Sequence, residues 1–380
     1  MGLQPGLERP TLRRPILPSY IYFLLFSMQL IIATSFSAGT LTSLTPQNPP
    51  PPASGVSVRK TPRQFLMERP PGPYTCLRAR DESLLGFDFH FQRLLHGVES
   101  SVGCLSPVNA GELRKRVLNV IEEALTEASQ QHPSEDGKEG STWSTKKLRD
   151  FFVTVHIDES STVLPSSTSG VALSAHAVSM PYAVMPPPVT LEIRGEGRRS
   201  PDVKHSQWLR DRQGLERFRV GPGGEVALSR SLPTGRAGEE GKAGKAGREM
   251  LEGLVSNIFV VKGGKLLTAS DGILPGHMRT MALRAAEALG VPVGDPEEKI
   301  LLEDILEWEE AFLTGSGRVL VPIGRVEGTS VGLPPVDLAA APGPITNLSG
   351  VKEGKIASVY GQSVLFSRWK YNTRMERKRR

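Results

Sequence analysis

Four short stretches of this chain carry residues able to do chemistry, each at or beside a turn. Lys204 lies in Pro201-Asp-Val-Lys-His-Ser206, just past a predicted strand. Glu252 opens a glycine turn at Gly253. Leu274-Pro-Gly-His-Met-Arg279 leads into an alanine-rich helix, and Thr314-Gly-Ser-Gly-Arg318 is a further glycine turn. Backbone N–H groups at a helix start have no partner within the helix and suit a phosphate. Ser316, between Gly315 and Gly317, adds a hydroxyl and a small anion nest. Any one of these turns alone is ordinary chain connection. Their order along the chain is what singles them out.

The elements that must position them follow from periodicity. Pro73–Arg78 has strand character, and Phe91–Leu95 reads as a short helix. Leu113, Val117, Val120, Ile121 and Leu125 recur at intervals of three and four, which predicts an amphipathic helix over 112–128. Strands are expected at Leu148–Val155, Val171–Ala175 and Val189–Ile193. The run Pro186-Pro-Pro188 between the last two suits a hinge between domains. Ser256–Val261 and Lys265–Leu267 flank Gly263-Gly264, a pair suited to a two-residue hairpin turn. Thr280–Leu289 reads as a helix ended by Gly290, Leu301–Glu310 as a further helix, and 311–314 and 319–323 as strands. The whole is a mixed α and β chain in two domains.

Taken together in this order, these blocks resemble one family. Leu251-Glu-Gly-Leu-Val-Ser-Asn-Ile-Phe-Val-Val261 is similar to the signature of fold-type IV, or class IV, pyridoxal phosphate (PLP) aminotransferases. Gly272-Ile-Leu-Pro-Gly-His-Met-Arg279, Phe312–Arg318 with Val321–Ile323, and upstream His90-Phe-Gln-Arg-Leu94 match its other blocks. The resemblance covers about residues 72–360. The family includes branched-chain aminotransferases, D-amino acid aminotransferases and aminodeoxychorismate lyases.

The resemblance implies a role for each matching residue. Lys204 would be the Schiff-base lysine and the base that moves the substrate proton. Glu252 would pair with the pyridine nitrogen and sharpen the ring as an electron sink. Arg93 would grip the phosphate through its rigid fork of donors, with the backbone of His277 and Met278 on one side and Gly315 and Ser316 on the other. Asn257 would steady the turn. Tyr74 and His156 are candidate substrate contacts. The implied fold is a small N-terminal α/β domain and a larger C-terminal β-barrel-like domain with flanking helices. The implied substrates are amino acids and 2-oxo acids, the implied assembly is a homodimer, and no metal is called for. The reaction expected is transamination. A lyase releasing pyruvate and 4-aminobenzoate, and a PLP-binding homologue without turnover, are the alternatives.

Four departures from the family pattern stand out. Lys204 and Glu252 are 48 positions apart, more than the family's usual spacing, and the glycine-rich segment 229–249 accounts for the surplus as an inserted loop. Branched-chain members place a tyrosine five residues after the lysine, where this chain has Leu209. His277 and Met278 replace the commoner Ile-Thr pair, which removes one hydroxyl. Arg-Gly after the strand near 151–155 becomes His156-Ile157, and a histidine holds a carboxylate only while protonated.

Composition bounds the remaining classes. A chain of 380 residues that is 38% hydrophobic can bury a core. The net charge of +6 owes much to the tail Arg368–Arg380, and no zinc-finger spacing or RNA-binding aromatic motif accompanies it, so no nucleic acid partner is expected. Two cysteines, Cys76 and Cys104, are too few for a disulfide scaffold and leave only a single bridge open. Arg13-Arg14, the apolar run Tyr20–Ala33 and the small residues after it have the layout of a signal peptide. Fourteen apolar residues are short of a comfortable membrane span. The expected order is a targeting and disordered region over 1–60, folding from near Pro71, a small domain over 71–187, a PLP domain over 188–365, and a basic tail over 366–380. Delivery to an organelle such as a plastid is the expectation, with secretion or membrane anchoring as the alternative.

Overall fold

The computed structural model describes Ile21, Leu24 and Met28 and residues 60–80, 83–103, 106–130, 150–158, 172–180, 186–232 and 247–338. The basic tail, the centre of the glycine-rich insertion and Cys104 lie outside the described residues. Cys76 is a free thiol.

A four-stranded antiparallel sheet forms the smaller part, in the order β2-β1-β3-β4. Its strands are β1 (Tyr74–Arg80), β2 (Ser83–Leu84), β3 (Asp150–Ile157) and β4 (Leu173–Met180). Two helices contribute to its core. Helix α2 (Phe87–Val102) is much longer than the short helix predicted at 91–95, and α3 (Pro107–Gln130) contains the predicted 112–128. Leu113, Val117, Ile121 and Leu125 form the buried stripe of α3, against Leu94 of α2 and Val153 and Val155 of β3. Gly97 interrupts the helical pattern of α2 for a packing reason: a Cβ there would stand 2.9 Å from Pro73 Cβ.

The larger part is an eight-stranded sheet. It comprises β5 (Val189–Glu196), β6 (Glu225–Ser231), β7 (Arg248–Gly253), β8 (Asn257–Lys262), β9 (Lys265–Leu267), β10 (Trp308–Gly315), β11 (Val319–Gly328) and β12 (Leu333–Asp337). Strand β10 pairs with both β11 and β8, so β10-β11-β5-β6-β7-β8 closes on itself as a barrel. Two apolar clusters fill it out, one centred on Leu191, Ile258 and Leu313, the other on Phe259, Phe312 and Met281. The architecture is therefore α+β: a small N-terminal α/β region and a larger barrel-like C-terminal sheet with flanking helices.

Connections in the barrel carry the chemistry. Strands β5 and β6 are parallel, which requires a crossover. That crossover holds Lys204 and the short helices α4 (Gln207–Asp211) and α5 (Gln213–Glu216). Strands β6 and β7 are antiparallel neighbours that take up both ends of the segment 229–249, pairing Ser229 with Met250 and Ser231 with Arg248, so the insertion is shorter than expected and the surplus between Lys204 and Glu252 falls between two paired strands. Gly263 and Gly264 both take positive φ in the β8–β9 turn, as the hairpin reading requires.

Three parts of the chain depart from expectation. The helix predicted over 301–310 is a 3-10 turn at Leu302–Glu307, after which Trp308 begins β10. Leu302 and Ile305 are buried, a spacing of three that fits the tighter helix, and pairing with β8 claims the rest. The ordered chain also precedes Pro71. Helix α1 (Pro62–Met67) is closed by a capping box between Thr61 and Gln64, with Pro62 in the first turn. Further upstream, Ile21, Leu24 and Met28 are helical and buried with Phe259, Met281 and Phe312, and the Ile21 N–H donates to Glu310 Oε2 at 2.9 Å. Among the described residues no helix is long and apolar enough to cross a membrane.

Candidate active site

A cavity of about 300 Å³ is lined by residues of both sheets and of the β5–β6 crossover. Of the residues singled out in the sequence, Tyr74, Arg93, Lys204, Glu252, His277, Met278, Gly315 and Ser316 all line it.

Lys204 is fixed through its backbone. The Tyr74 N–H donates to Lys204 O at 3.0 Å, and the Ser206 N–H donates to Gly72 O at 2.9 Å. The buried Ser206 hydroxyl accepts from the Gly72 N–H at 3.0 Å. These bonds clamp the crossover to the start of β1. The Lys204 Nζ sits 4.7 Å from the centroid of the Tyr74 ring. Leu209, at the position where branched-chain members carry tyrosine, is buried with Phe65, Leu66 and Tyr74.

Glu252 ends β7 beside the cavity. Its Oε1 accepts from Arg198 Nε at 2.8 Å and its Oε2 from the Leu274 N–H at 2.9 Å. Both partners of the ion pair are buried, at 7% and 6% exposure. Burial pushes the Glu252 carboxyl upward, while Arg198 and the Leu274 N–H pull it back. With two charge-assisted acceptor contacts made, the geometry holds the ionised form. Gly253 is required next to it, because a Cβ would collide with the Ser256 hydroxyl and stand 2.8 Å from Glu225 Cγ. Asn257 secures the adjacent loop by donating to Leu274 O at 2.8 Å. Its side chain works as a turn support, and Gly276 has no room for a Cβ beside its Oδ1.

The opposite end of the cavity is different in kind. Helix α6 (His277–Leu289) begins after Gly276, with no side chain capping its first N–H groups. Arg93 donates to Pro275 O and to Thr75 Oγ1, yet its Nε is buried with no partner. The Thr314 hydroxyl and His277 Nδ1 are likewise buried and unpartnered. Burial lowers Arg93 to about 10, still a cation at neutral pH. Burial and then Arg93 lower His277 to about 4, so its ring is neutral. It packs against Phe89 and His90 much as an apolar ring would, next to Gly86 in the left-handed region. The Met278 side chain is buried in the core, so this residue offers the cavity its backbone. The turn Gly315–Arg318 joins β10 to β11, and Val319 after it has φ 63°, a strained conformation for a β-branched residue.

His156 is not in this group. It lies in β3 at 1% exposure, outside the cavity lining, opposite Tyr74 in the ladder. Burial lowers it to about 4, so at neutral pH it has no charge with which to hold a carboxylate. Sequence reading also missed Arg198 and Thr314. Arg198 sits among several arginines with no spacing to mark it, and the matched block around Thr314 drew attention to Gly315 and Ser316 instead. Among the described residues no cluster of histidine, cysteine and acidic side chains could hold a metal ion.

A cradle of unpaired donors, a lysine and a buried carboxylate on one cavity fit a phosphorylated ring bearing an aldehyde. Comparison with known proteins finds similarity to aminotransferases. Residues 244–326 match the family model for amino-transferase class IV. Over 101 residues the chain is 36% identical to a Thermotoga maritima protein named "Probable branched-chain-amino-acid aminotransferase", covering 26% of this chain and 34% of that one. Over 83 residues it is 32% identical to the branched-chain-amino-acid aminotransferase of Escherichia coli K12, covering 21% and 26%. The matched stretches thus span about a third or less of these relatives. A solved structure of the Escherichia coli branched-chain amino acid aminotransferase aligns at a TM-score of 0.47 and 16% identity, over 81% of this chain and 89% of that one. By these similarities residues 244–326 belong to the amino-transferase class IV family, whose fold-type IV superfamily takes in branched-chain aminotransferases and aminodeoxychorismate lyases.

Proposed function

We propose that this chain binds PLP through Lys204 and transfers an amino group from an amino acid to a 2-oxo acid. One observation carries the reading: buried, unpartnered donors of Arg93 and Thr314 share a cavity with the uncapped start of α6, Lys204 and Glu252. Bound PLP supplies an aldehyde that condenses with amines and a ring that withdraws electrons from the carbon next to the nitrogen.

The chain's own residues do the rest. Arg93, the first N–H groups of α6 and the Gly315-Ser316 turn hold the phosphate. Glu252 would pair with the ring nitrogen and favour its protonated form. Lys204 would be the amine that meets the cofactor's aldehyde, and as a free base it would hold and move the substrate proton. Tyr74 packs beside it and confines its amine to the cavity. The assembly expected is a homodimer, which light scattering checks. Organelle delivery by the N-terminal segment predicts cleavage beyond the apolar run Tyr20–Ala33, which would take Ile21, Leu24 and Met28 out of their packing with Phe259 and Phe312, and N-terminal sequencing of the mature chain decides it.

The reaction is tested with the full chain loaded with PLP and supplied with L- and D-amino acids without an acceptor. One 2-oxo acid released per cofactor is the result expected of a transaminase. Pyruvate and 4-aminobenzoate formed repeatedly from aminodeoxychorismate would make it a lyase. A loaded chain silent to every substrate would contradict both.

A further inference from the structure

With His156 buried and neutral, the cavity needs another cation for a substrate carboxylate. Five arginines line it. Arg93 belongs to the phosphate end. Arg198 is tied to Glu252 and donates to Pro201 O at 2.7 Å. Arg212, at 8% exposure, is held by Glu216 Oε1 at 2.9 Å and by Leu254 O at 2.9 Å. Arg318 donates to Gly223 O at 2.6 Å and is one of two cations near the fully buried Glu225. Arg63 stands apart. It is 43% exposed, and its ion pair is with Glu216 Oε2 at 2.8 Å. Glu216 is thus shared by Arg63 and Arg212, and one carboxylate between two guanidinium groups leaves a positive charge over at the cavity wall.

Position agrees with charge. Leu66 lies three residues after Arg63, so the two share a face of α1. Leu66 is buried in one cluster with Tyr74 and Leu209, and Tyr74 is the ring beside Lys204 Nζ. The face of α1 that carries Arg63 is therefore the face packed toward the attacking lysine. Both Pro62 and Leu66 line the same cavity. The Thr61–Gln64 capping box and Pro62 hold this turn of helix in shape.

We infer that Arg63, supplied by a helix lying ahead of the residues that resemble the family, recognises the substrate carboxylate in place of the arginine missing at His156-Ile157. This rests on the proposed function, since it presumes that the cavity takes a carboxylic substrate next to Lys204. An exposed, under-neutralised guanidinium can reach out to a carboxylate with two parallel N–H bonds and return to Glu216 when the ligand leaves.

The test uses the full chain loaded with PLP, with 4-methylpentanoate and its uncharged amide as probes. Binding is read from the perturbation of the visible absorbance. Arg63→Gln is expected to weaken the carboxylate about tenfold or more and to leave the amide unchanged, with partial recovery in Arg63→Lys. Glu216→Gln removes the same ion pair but leaves Arg63 in place, and carboxylate binding at least as tight as in the wild type is expected. Equal losses in Arg63→Gln and Glu216→Gln would reduce Arg63 to a structural support and overturn the inference. So would wild-type affinity in Arg63→Gln, or a wild type that does not distinguish the acid from its amide. Absence of any Lys204-dependent absorbance in the wild type would instead remove the PLP reading, and the inference with it.

Discussion

The two ends of the cavity are built on opposite principles. At one end the Glu252 carboxylate is already satisfied: one oxygen is taken by Arg198 and the other by the Leu274 N–H. At the α6 end, Arg93 Nε, Thr314 Oγ1 and His277 Nδ1 are buried with nothing to bond. A self-satisfied end contributes to the fold whether or not a ligand is present. An unsatisfied end costs the fold stability and is compensated only by something that brings acceptors. The same pocket therefore holds one group positioned in advance and one cradle that needs a ligand.

Breaking the satisfied end should have the largest effect, and on stability. Arg198→Met leaves Glu252 buried without its counter-charge and should cost about 3–5 kcal/mol in urea unfolding. The double change Arg198→Met with Glu252→Leu should recover most of it, because an apolar pair of similar volume needs no compensation. Breaking the unsatisfied end should instead act on the ligand. Arg93→Ala should weaken PLP by roughly tenfold to a hundredfold in equilibrium dialysis, with a smaller change in unfolding midpoint of the unloaded chain.

Acid should strain the fold at two buried histidines, one at the α6 end and one in β3. His156 and His277 are both lowered from 6.5 to about 4, so the unfolded chain binds protons that the folded chain does not. Stability is then full above pH 6.5, declines as pH falls through the window, and is lost near pH 4. Urea midpoints measured across that range check the slope, and His277→Leu should flatten part of it. The smallest effect belongs to Thr314→Val. Removing an unpartnered hydroxyl should leave the unloaded chain as stable as before or slightly more so, and weaken PLP by only severalfold, about 1 kcal/mol. A destabilised unloaded chain would mean that the hydroxyl already had a partner.

The same contrast explains what could be read from sequence. Lys204, Glu252 and the two glycine turns lie in contiguous blocks, so their order was visible. The amphipathic spacing of α3 and the Gly263-Gly264 hairpin were visible because local pattern and tertiary role agree there. The partner of Glu252 was not visible, since Arg198 lies 54 positions away and only the β5–β6 crossover brings it in. Nor was the burial of His156: the alternation Val153-Thr-Val-His-Ile157 sets it on the face opposite the core stripe, and what covers that face, and so its neutrality, is a tertiary effect. Helix α1 was legible in Thr61-Pro62 with Gln64 and was overlooked because the segment is short. Strand β10 was half-hidden by Leu302 and Ile305, whose spacing mimics a helix.

The account turns on Lys204. The most direct test is to incubate the full chain with PLP, reduce with borohydride, and map the modified peptide by mass spectrometry beside Lys204→Ala. The account predicts one PLP per chain, attached at Lys204, with none retained by the variant. Attachment at other lysines with Lys204 unmodified, or equal labelling of the variant, would contradict it.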